Sequence, residues 1–304
     1  MKAQRQSIDG VLLLNKPVGI TSNAALQKAK WLLNAKKAGH TGTLDPFADG
    51  LLPLCFGEAT KFSAYLLESD KHYRAVLQLG VTTSTGDPEG ETLATQEVHV
   101  GSADIEAVLP RFTGAIEQIP PMHSALKHQG RPLYEYARAG IEIDRPPRRV
   151  TIRSLRLIEC APPRVVLDVQ CSAGTYIRTL AQDIGAALGC GAHLTALTRT
   201  AAGGFSLDQA HTLASLEDLP AEQRLAVLLP LDAMLTHLPG VDLSAHDTMA
   251  LTQGRSVPHL LKQAGLVRLY APGPEFIGLA EAASGMLTPH RLCNTQGRTP
   301  LPKG

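Results

Sequence analysis

The amino-acid sequence predicts an α+β fold with a small β-rich unit at its C-terminal end. Runs of branched residues alternate with segments whose apolar side chains recur at helical spacing. Two strand candidates, at about 150–160 and 165–171, are joined by a Pro-Pro turn. Beyond about residue 240 only short apolar runs remain, such as Leu266–Tyr270 and Ile277–Leu279, divided by glycine and proline. The 304 residues leave room for about two domains. With 44% hydrophobic and 19% charged residues the chain has the composition of a folded globular protein.

Each element has a local reason. Ile8 to Leu14 reads as a strand, and the turn at 15–19 follows. Thr21 or Ser22 can then cap a helix carrying Leu26, Ala29, Leu32 and Leu33 on one face. Lys36 and Lys37 suit the negative end of its dipole. Residues 39–50 form a glycine-rich loop, Leu51–Phe56 a buried strand, and about 59–67 a short helix. Tyr73–Leu79 is a further strand, leading into the polar stretch 82–90. Glu91–Val100 predicts a strand and Ala103–Phe112 a helix. Seven Gly and Pro residues make 119–149 an excursion with one short helix at 133–139. Thr175–Leu188 is helical, with Ile177, Leu180, Ile184 and Leu188 on one face, and 193–200 reads as a strand. Helical patterns recur at about 212–234.

No apolar run approaches the ~18 residues that cross a bilayer, and Val11–Leu14 is too short for a signal-peptide core. A cytoplasmic protein is expected. The five scattered cysteines, with no Cys-x-x-Cys, read as buried thiols. The net charge of +1 speaks against a uniformly basic polyanion binder. By segment, however, residues 1–74 and 121–160 each carry +4, and the acidic stretch 75–120 carries −6. The second basic block interleaves Lys127, Arg131, Arg138, Arg145, Arg148 and Arg149 with Tyr134 and Tyr136. Cations beside aromatics suit a polyanion with stackable bases, and equally a solvated surface. If RNA is the partner, both basic blocks should face it and 75–120 should lie mostly away.

Two places could do chemistry. In the loop 39–50, Asp45 precedes a proline, which biases it toward extended backbone and lets its carboxylate project. A general acid/base pair with Asp49, a metal site with His40 and Asp49, and a plain Asx turn all remain open at this point. The metal reading is short of ligands. At Cys171–Arg178 a strand ends, glycine turns the chain and a helix begins. Arg178 in its first turn gains nothing from the dipole, so a carboxylate or phosphate partner explains it better than propensity.

Taken together, seven ordered motifs over about residues 10–200 resemble the bacterial tRNA pseudouridine-55 synthases, the B-type class. They are Leu14-Asn15-Lys16-Pro17-x-Gly19-x-Thr21-Ser22, Gly39-His40-x-Gly42-Thr43-Leu44-Asp45-Pro46-x-Ala48-x-Gly50-Leu51-Leu52, Gly57-Glu58-Ala59-Thr60-Lys61, Lys71-x-Tyr73, Gln118-x-Pro120-Pro121-x-x-Ser124-Ala125-Leu126-Lys127, Leu133-Tyr134-Glu135-Tyr136-Ala137-Arg138 and Gly174-Thr175-Tyr176-Ile177-Arg178. The resemblance implies a catalytic domain over 1–240, built on a mixed, mainly antiparallel sheet flanked by helices. It also implies a thumb-like RNA-binding insertion at about 121–149 and a PUA-like, β-barrel-like domain at 241–304. It assigns catalysis to Asp45, stacking on the flipped uracil to Tyr73, pairing with Asp45 to Arg178, and substrate binding to His40, Tyr73, Tyr176 and Leu197. It implies RNA contacts at Lys16, Lys61, Lys127, Arg131, Arg138, Arg148 and Arg149. The substrate is the T-loop of tRNA. No metal, cofactor, membrane or obligate protein partner is implied, and a monomer is expected. A non-catalytic tRNA-binding or tRNA-folding protein on the same fold is the alternative. The sequence departs from the family pattern at His123, usually tyrosine, at Thr198, where a cation of Leu-Arg-Arg is missing, and at Phe47 and Asp49.

Overall fold

A computed structural model describes residues 4–260 and 264–294. The chain begins with strand β1 (Gly10–Lys16), helix α1 (Ser22–Leu32), β2 (Ala38–His40), β3 (Asp49–Phe56), α2 (Ser63–Leu67) and β4 (Lys71–Leu79). A hairpin, β5 (Val81–Thr83) with β6 (Thr92–Thr95), leads to α3 (Ser102–Val108) and β7 (Gly114–Gln118). The excursion follows as β8 (Lys127–His128), β9 (Arg131–Pro132) and α4 (Leu133–Arg138). Then come β10 (Arg148–Ala161), β11 (Arg164–Cys171), α5 (Ile177–Ala187), β12 (Ala192–Ala202), β13 (Phe205–Ser206), β14 (His211–Thr212) and α6 (Leu213–Asp218). The last described elements are β15 (Gly240–Asp242), α7 (Ala245–Thr252), β16 (Val257–Pro258), β17 (Gly265–Ala271), β18 (Glu275–Ala283) and β19 (Met286–Leu292).

The main sheet runs β14-β1-β3-β12-β4-β11-β10-β7, with β2 beside β3 and β13 beside β12. Its pairings are antiparallel except β1/β14 and β3/β12, the mixed, mainly antiparallel sheet expected. The central strand β3 is buried from Gly50 to Phe56, because α1 and α5 cover one face and α2 the other. Alternation sorts β12 cleanly: Leu197 and Arg199 are buried, while Thr198 lies on the opposite face beside Arg74 of β4 and Asp49 of β3. The missing cation at 198 is therefore a change on the far side of the sheet from Leu197. The second sheet, β15-β17-β18-β19-β16, has its own apolar cluster around Leu251, Leu269, Ile277 and Leu287. Phe276 and Leu279 of β18 also pack with Phe62, so this sheet is docked on the first. Of the expected unit 241–304, residues 261–263 and 295–304 lie outside the described residues.

Several boundaries differ from expectation for identifiable reasons. The helical pattern at 212–234 yields α6 and two 3-10 turns, because Pro220 and Pro230 cannot continue a helix. The strand predicted at 91–100 is paired only over Thr92–Thr95, all exposed. The helix at 103–112 is α-helical to Val108 and tightens to 3-10 at Leu109-Pro110. Likewise the helix at 59–67 opens as a 3-10 turn, Gly57–Phe62. Strand β7 went unpredicted. Its inner face is formed by Gly114, Ile116 and Gln118, only one of which carries a β signal, while Ala115 and Glu117 are exposed, and the edge is set by pairing with β10.

Candidate active site

The loop between β2 and β3 is held at every corner. Thr41 is fully buried, and its amide and hydroxyl both donate to the Pro53 carbonyl at 3.1 and 3.2 Å. Ser22, the first residue of α1, accepts from the Leu44 amide at 2.8 Å and donates to the Leu44 carbonyl at 3.0 Å. Gly19 donates to Pro46 at 2.8 Å, and Ala48 to the Asp45 carbonyl at 3.1 Å. Gly50 closes the loop at φ +100°; a Cβ there would stand 2.4 Å from the Arg199 carbonyl oxygen. The backbone turn at Asp45 exists, but its carboxylate does not fold back on it. It projects to Arg178, Nε to Oδ2 at 3.0 Å and Nη2 to Oδ1 at 3.5 Å.

Arg178 stands in the first turn of α5 and is 4% exposed. Its cation is placed against the helix dipole, and four acceptors account for that. Besides Asp45 they are Asp87 Oδ2 at 3.0 Å, the Thr85 carbonyl at 3.1 Å and the His123 carbonyl at 2.6 Å. Asp87 is itself pinned by the Thr85 hydroxyl and the Glu89 amide. One guanidinium thus joins two carboxylates with the base of the excursion. Burial pushes the Asp45 carboxyl above the ordinary carboxylate range; the Arg178 charge opposes this and Asp87 adds to it.

Asp45, Tyr73, Tyr176, Arg178 and Leu197 converge on one cavity of about 330 Å³, roofed by His123–Leu126 of the excursion. His40 lines an adjoining cleft of about 470 Å³, shared with Asp45, Arg178, Tyr134 and Arg138. Burial, then the Arg199 charge, lowers the His40 pKa, and its buried Nδ1 has no hydrogen-bond partner among the described residues. Tyr73 and Tyr176 are pushed up chiefly by burial, so both are neutral phenols at pH 7. Tyr176 is locked by Gln118, which donates to its carbonyl at 3.2 Å and accepts from its amide at 3.0 Å. Among the described residues no group of three or more His, Cys, Asp or Glu is placed to hold a metal ion.

Two expectations need correction. Lys16 is fully buried and donates to the Pro17 and Ile20 carbonyls, both at 2.8 Å, so it braces the turn after β1 instead of meeting a polyanion. Lys61 pairs with Glu58 at 2.7 Å and donates to the Leu292 carbonyl at 3.0 Å, tying the turn after β3 to the second sheet. Of the acidic stretch 75–120, expected mostly away, Asp87 and Glu89 line the cleft beside Asp45. By contrast Lys127, Arg131, Arg138, Arg148 and Arg149 are exposed, and Arg131 and Arg138 lie over the rings of Tyr136 and Tyr134. Sequence reasoning missed Asp87, Gln118, Lys71 and Arg199. Gln118 and Lys71 stood inside the family motifs and Arg199 beside the departure at Thr198, whereas Asp87 stood in a polar turn with no distinguishing signal.

Comparison with known proteins agrees with this geometry. The family model for the N-terminal domain of TruB family pseudouridylate synthase matches residues 30–177. Models for the tRNA pseudouridylate synthase B C-terminal domain and the pseudouridine synthase II TruB C-terminal region match 178–236 and 239–293. The chain is 73% identical over 295 residues to the tRNA pseudouridine synthase B of Thiobacillus denitrificans, covering 97% of this chain and 99% of that one. Identity to the tRNA pseudouridine synthase B of Chromobacterium violaceum is 54% over 301 residues, 98% of each chain. Among solved structures, a chain of a Cbf5-Nop10-Gar1 complex superposes with a TM-score of 0.69 at 30% identity, over 90% of this chain and 78% of that one. A chain of an H/ACA RNP bound to a substrate RNA containing 2'-deoxyuridine gives 0.69 at 25% identity, over 93% and 84%. Identity along nearly the whole length of its relatives, on the same fold, means that the chain belongs to the TruB family of pseudouridylate synthases.

Proposed function

We propose that this protein isomerises uridine 55 in the T-loop of tRNA to pseudouridine, with Asp45 as the catalytic carboxylate. The observation that carries the assignment is the Arg178 fork, which holds Asp45 at the wall of a cavity shared with Tyr73, Tyr176 and Leu197. The reaction breaks C1′–N1, turns the base and forms C1′–C5; C5 gives up its hydrogen and N1 gains one. One ionised carboxylate suffices, whether it acts at the sugar, at the base or on a ribose proton. Burial disfavours that ionised form, and the Arg178 charge opposes that push. A target base inside a loop must leave its stack to reach the cavity. Tyr73 offers a face for it, while His40 in the adjoining cleft can occupy the vacated space.

The relatives are named as synthases, so the alternative of a non-catalytic tRNA-binding protein is set aside. In this reading residues 1–240 form the catalytic domain, 121–149 its thumb, and 241–304 a PUA-like RNA-binding domain. Lys127, Arg131, Arg138, Arg148 and Arg149 supply the exposed cations for the phosphate backbone. In this reading the reaction takes place in the cytoplasm, by a monomer without a partner subunit. The test is conversion of a uridine-containing tRNA transcript, followed by mapping of the product. Pseudouridine confined to position 55 is the expected result; none, or product at other positions only, refutes it.

A further inference from the structure

We propose that Arg199 is a positioning residue whose guanidinium ties both ends of the Asp45 loop to β12, beside Tyr73 of β4. It thereby fixes the carboxylate relative to the base platform. This assignment rests on reading Asp45 and Tyr73 as the groups that meet the target uridine. Arg199 is 1% exposed and sits in β12 directly between Tyr73 of β4 and Gly50 of β3. Its Nε donates to the Leu51 carbonyl at 2.7 Å, just after the loop. Its Nη2 donates to the Gly42 carbonyl at 3.1 Å, at the loop's start.

No Asp or Glu lies within ion-pair distance of Arg199 among the described residues, although Asp45 and Arg178 pair at the wall of the same cavity. A buried cation without a counter-ion is costly. Neutral carbonyls at the two ends of the loop are what this one receives, and a planar fork serves both from separate nitrogens. Lysine keeps the charge but is a point donor without that fork. The position also decides which neighbours feel the charge. It faces His40 and Lys71 as well as Tyr73, all of them groups lining the cavity or the adjoining cleft.

The test compares Arg199→Lys and Arg199→Met with the unaltered enzyme and with Asp45→Asn in one assay of pseudouridine formation on a tRNA transcript. Turnover by the unaltered enzyme and its loss in Asp45→Asn report on the parent reading, and the Arg199 variants report on the positioning role. For Arg199→Lys, kcat should fall about 10- to 100-fold with KM within about threefold, as a misplaced reacting group requires. Amide hydrogen exchange across residues 42–48 should quicken by about tenfold while that of β10 and β11 stays unchanged. A raised KM at unchanged kcat, or unchanged exchange in the loop, overturns the proposal. If Arg199→Met fails to fold, Arg199→Lys decides, since it keeps the buried charge and removes only the fork. Faster exchange at 42–48 supports the coupling, and unchanged rates overturn it.

Discussion

Arg178→Lys separates the geometry of the Arg178 cation from its charge. Arginine reaches Asp45 through Nε at 3.0 Å, Asp87 through Nη1 at 3.0 Å, and the carbonyls of Thr85 and His123 at 3.1 and 2.6 Å. Lysine has one nitrogen and can serve one carboxylate well. The two arms differ in environment: the Asp87 side chain is 3% exposed and the Asp45 side chain 33%. Solvent screens the Asp45 arm, so most of the loss falls on the buried one. Breaking a buried pair outright costs about 3–5 kcal/mol, and a lysine that keeps part of it should cost about 2–3 kcal/mol. At about 2–4 °C per kcal/mol, Tm should drop by roughly 5–10 °C. Asp45, held from one side less firmly, moves; a displacement of about 1 Å costs on the order of 10²-fold in rate, equivalent to about 2.7 kcal/mol of barrier. Tritium placed at C5 of the target uridine leaves when C1′–C5 forms, so its release follows turnover. The expected pattern is kcat down about 100-fold at a KM within about threefold, because the exposed cations proposed to meet RNA are untouched. A kcat within about twofold of the unaltered enzyme at unchanged Tm would refute the role given to the fork.

Further consequences concern neighbouring groups. The Asp87 charge raises the pKa of Asp45, so Asp87→Asn removes that push and Asp45 ionises at lower pH. The acid limb of the kcat profile should therefore shift downward; an unchanged or upward-shifted limb contradicts the coupling. Arg149→Ala should weaken tRNA binding and reduce the slope of log K against log salt by about 1. Lys16→Met should leave that slope alone and lower stability by about 1–3 kcal/mol, since two carbonyls lose a buried donor; urea titration beside a salt series distinguishes the two cations' roles. Gln118→Ala frees both backbone groups of Tyr176, and a loss of about 1–3 kcal/mol in the same titration is expected.

The strands with strong branched-residue character and the capped helix α1 could be read from the sequence, because local propensity and burial pattern agree there. So could the projecting carboxylate, since Asp45 before Pro46 restricts the backbone without any tertiary information. What escaped was set by distant partners. Asp87 becomes a site residue only because Arg178 lies against it, 91 residues later in the chain. Lys16 and Lys127 are alike as letters, yet one is buried under a turn and the other exposed on the thumb. A segment sum of charge sees both equally. The same holds for Thr198 and Arg199: sequence counts one missing cation, while the alternation of β12 puts only Arg199 at the cavity.

The central claim is that the Asp45 carboxylate, held by Arg178, performs the isomerisation inside the thumb-covered cavity. Single-turnover formation of pseudouridine by Asp45→Asn, with tRNA binding measured on the same preparation, tests it most directly. Product formation should fall by about 10⁴-fold or more, with Kd within about threefold because the exposed cations remain. Pseudouridine formed at near-normal rate by that variant would contradict the claim.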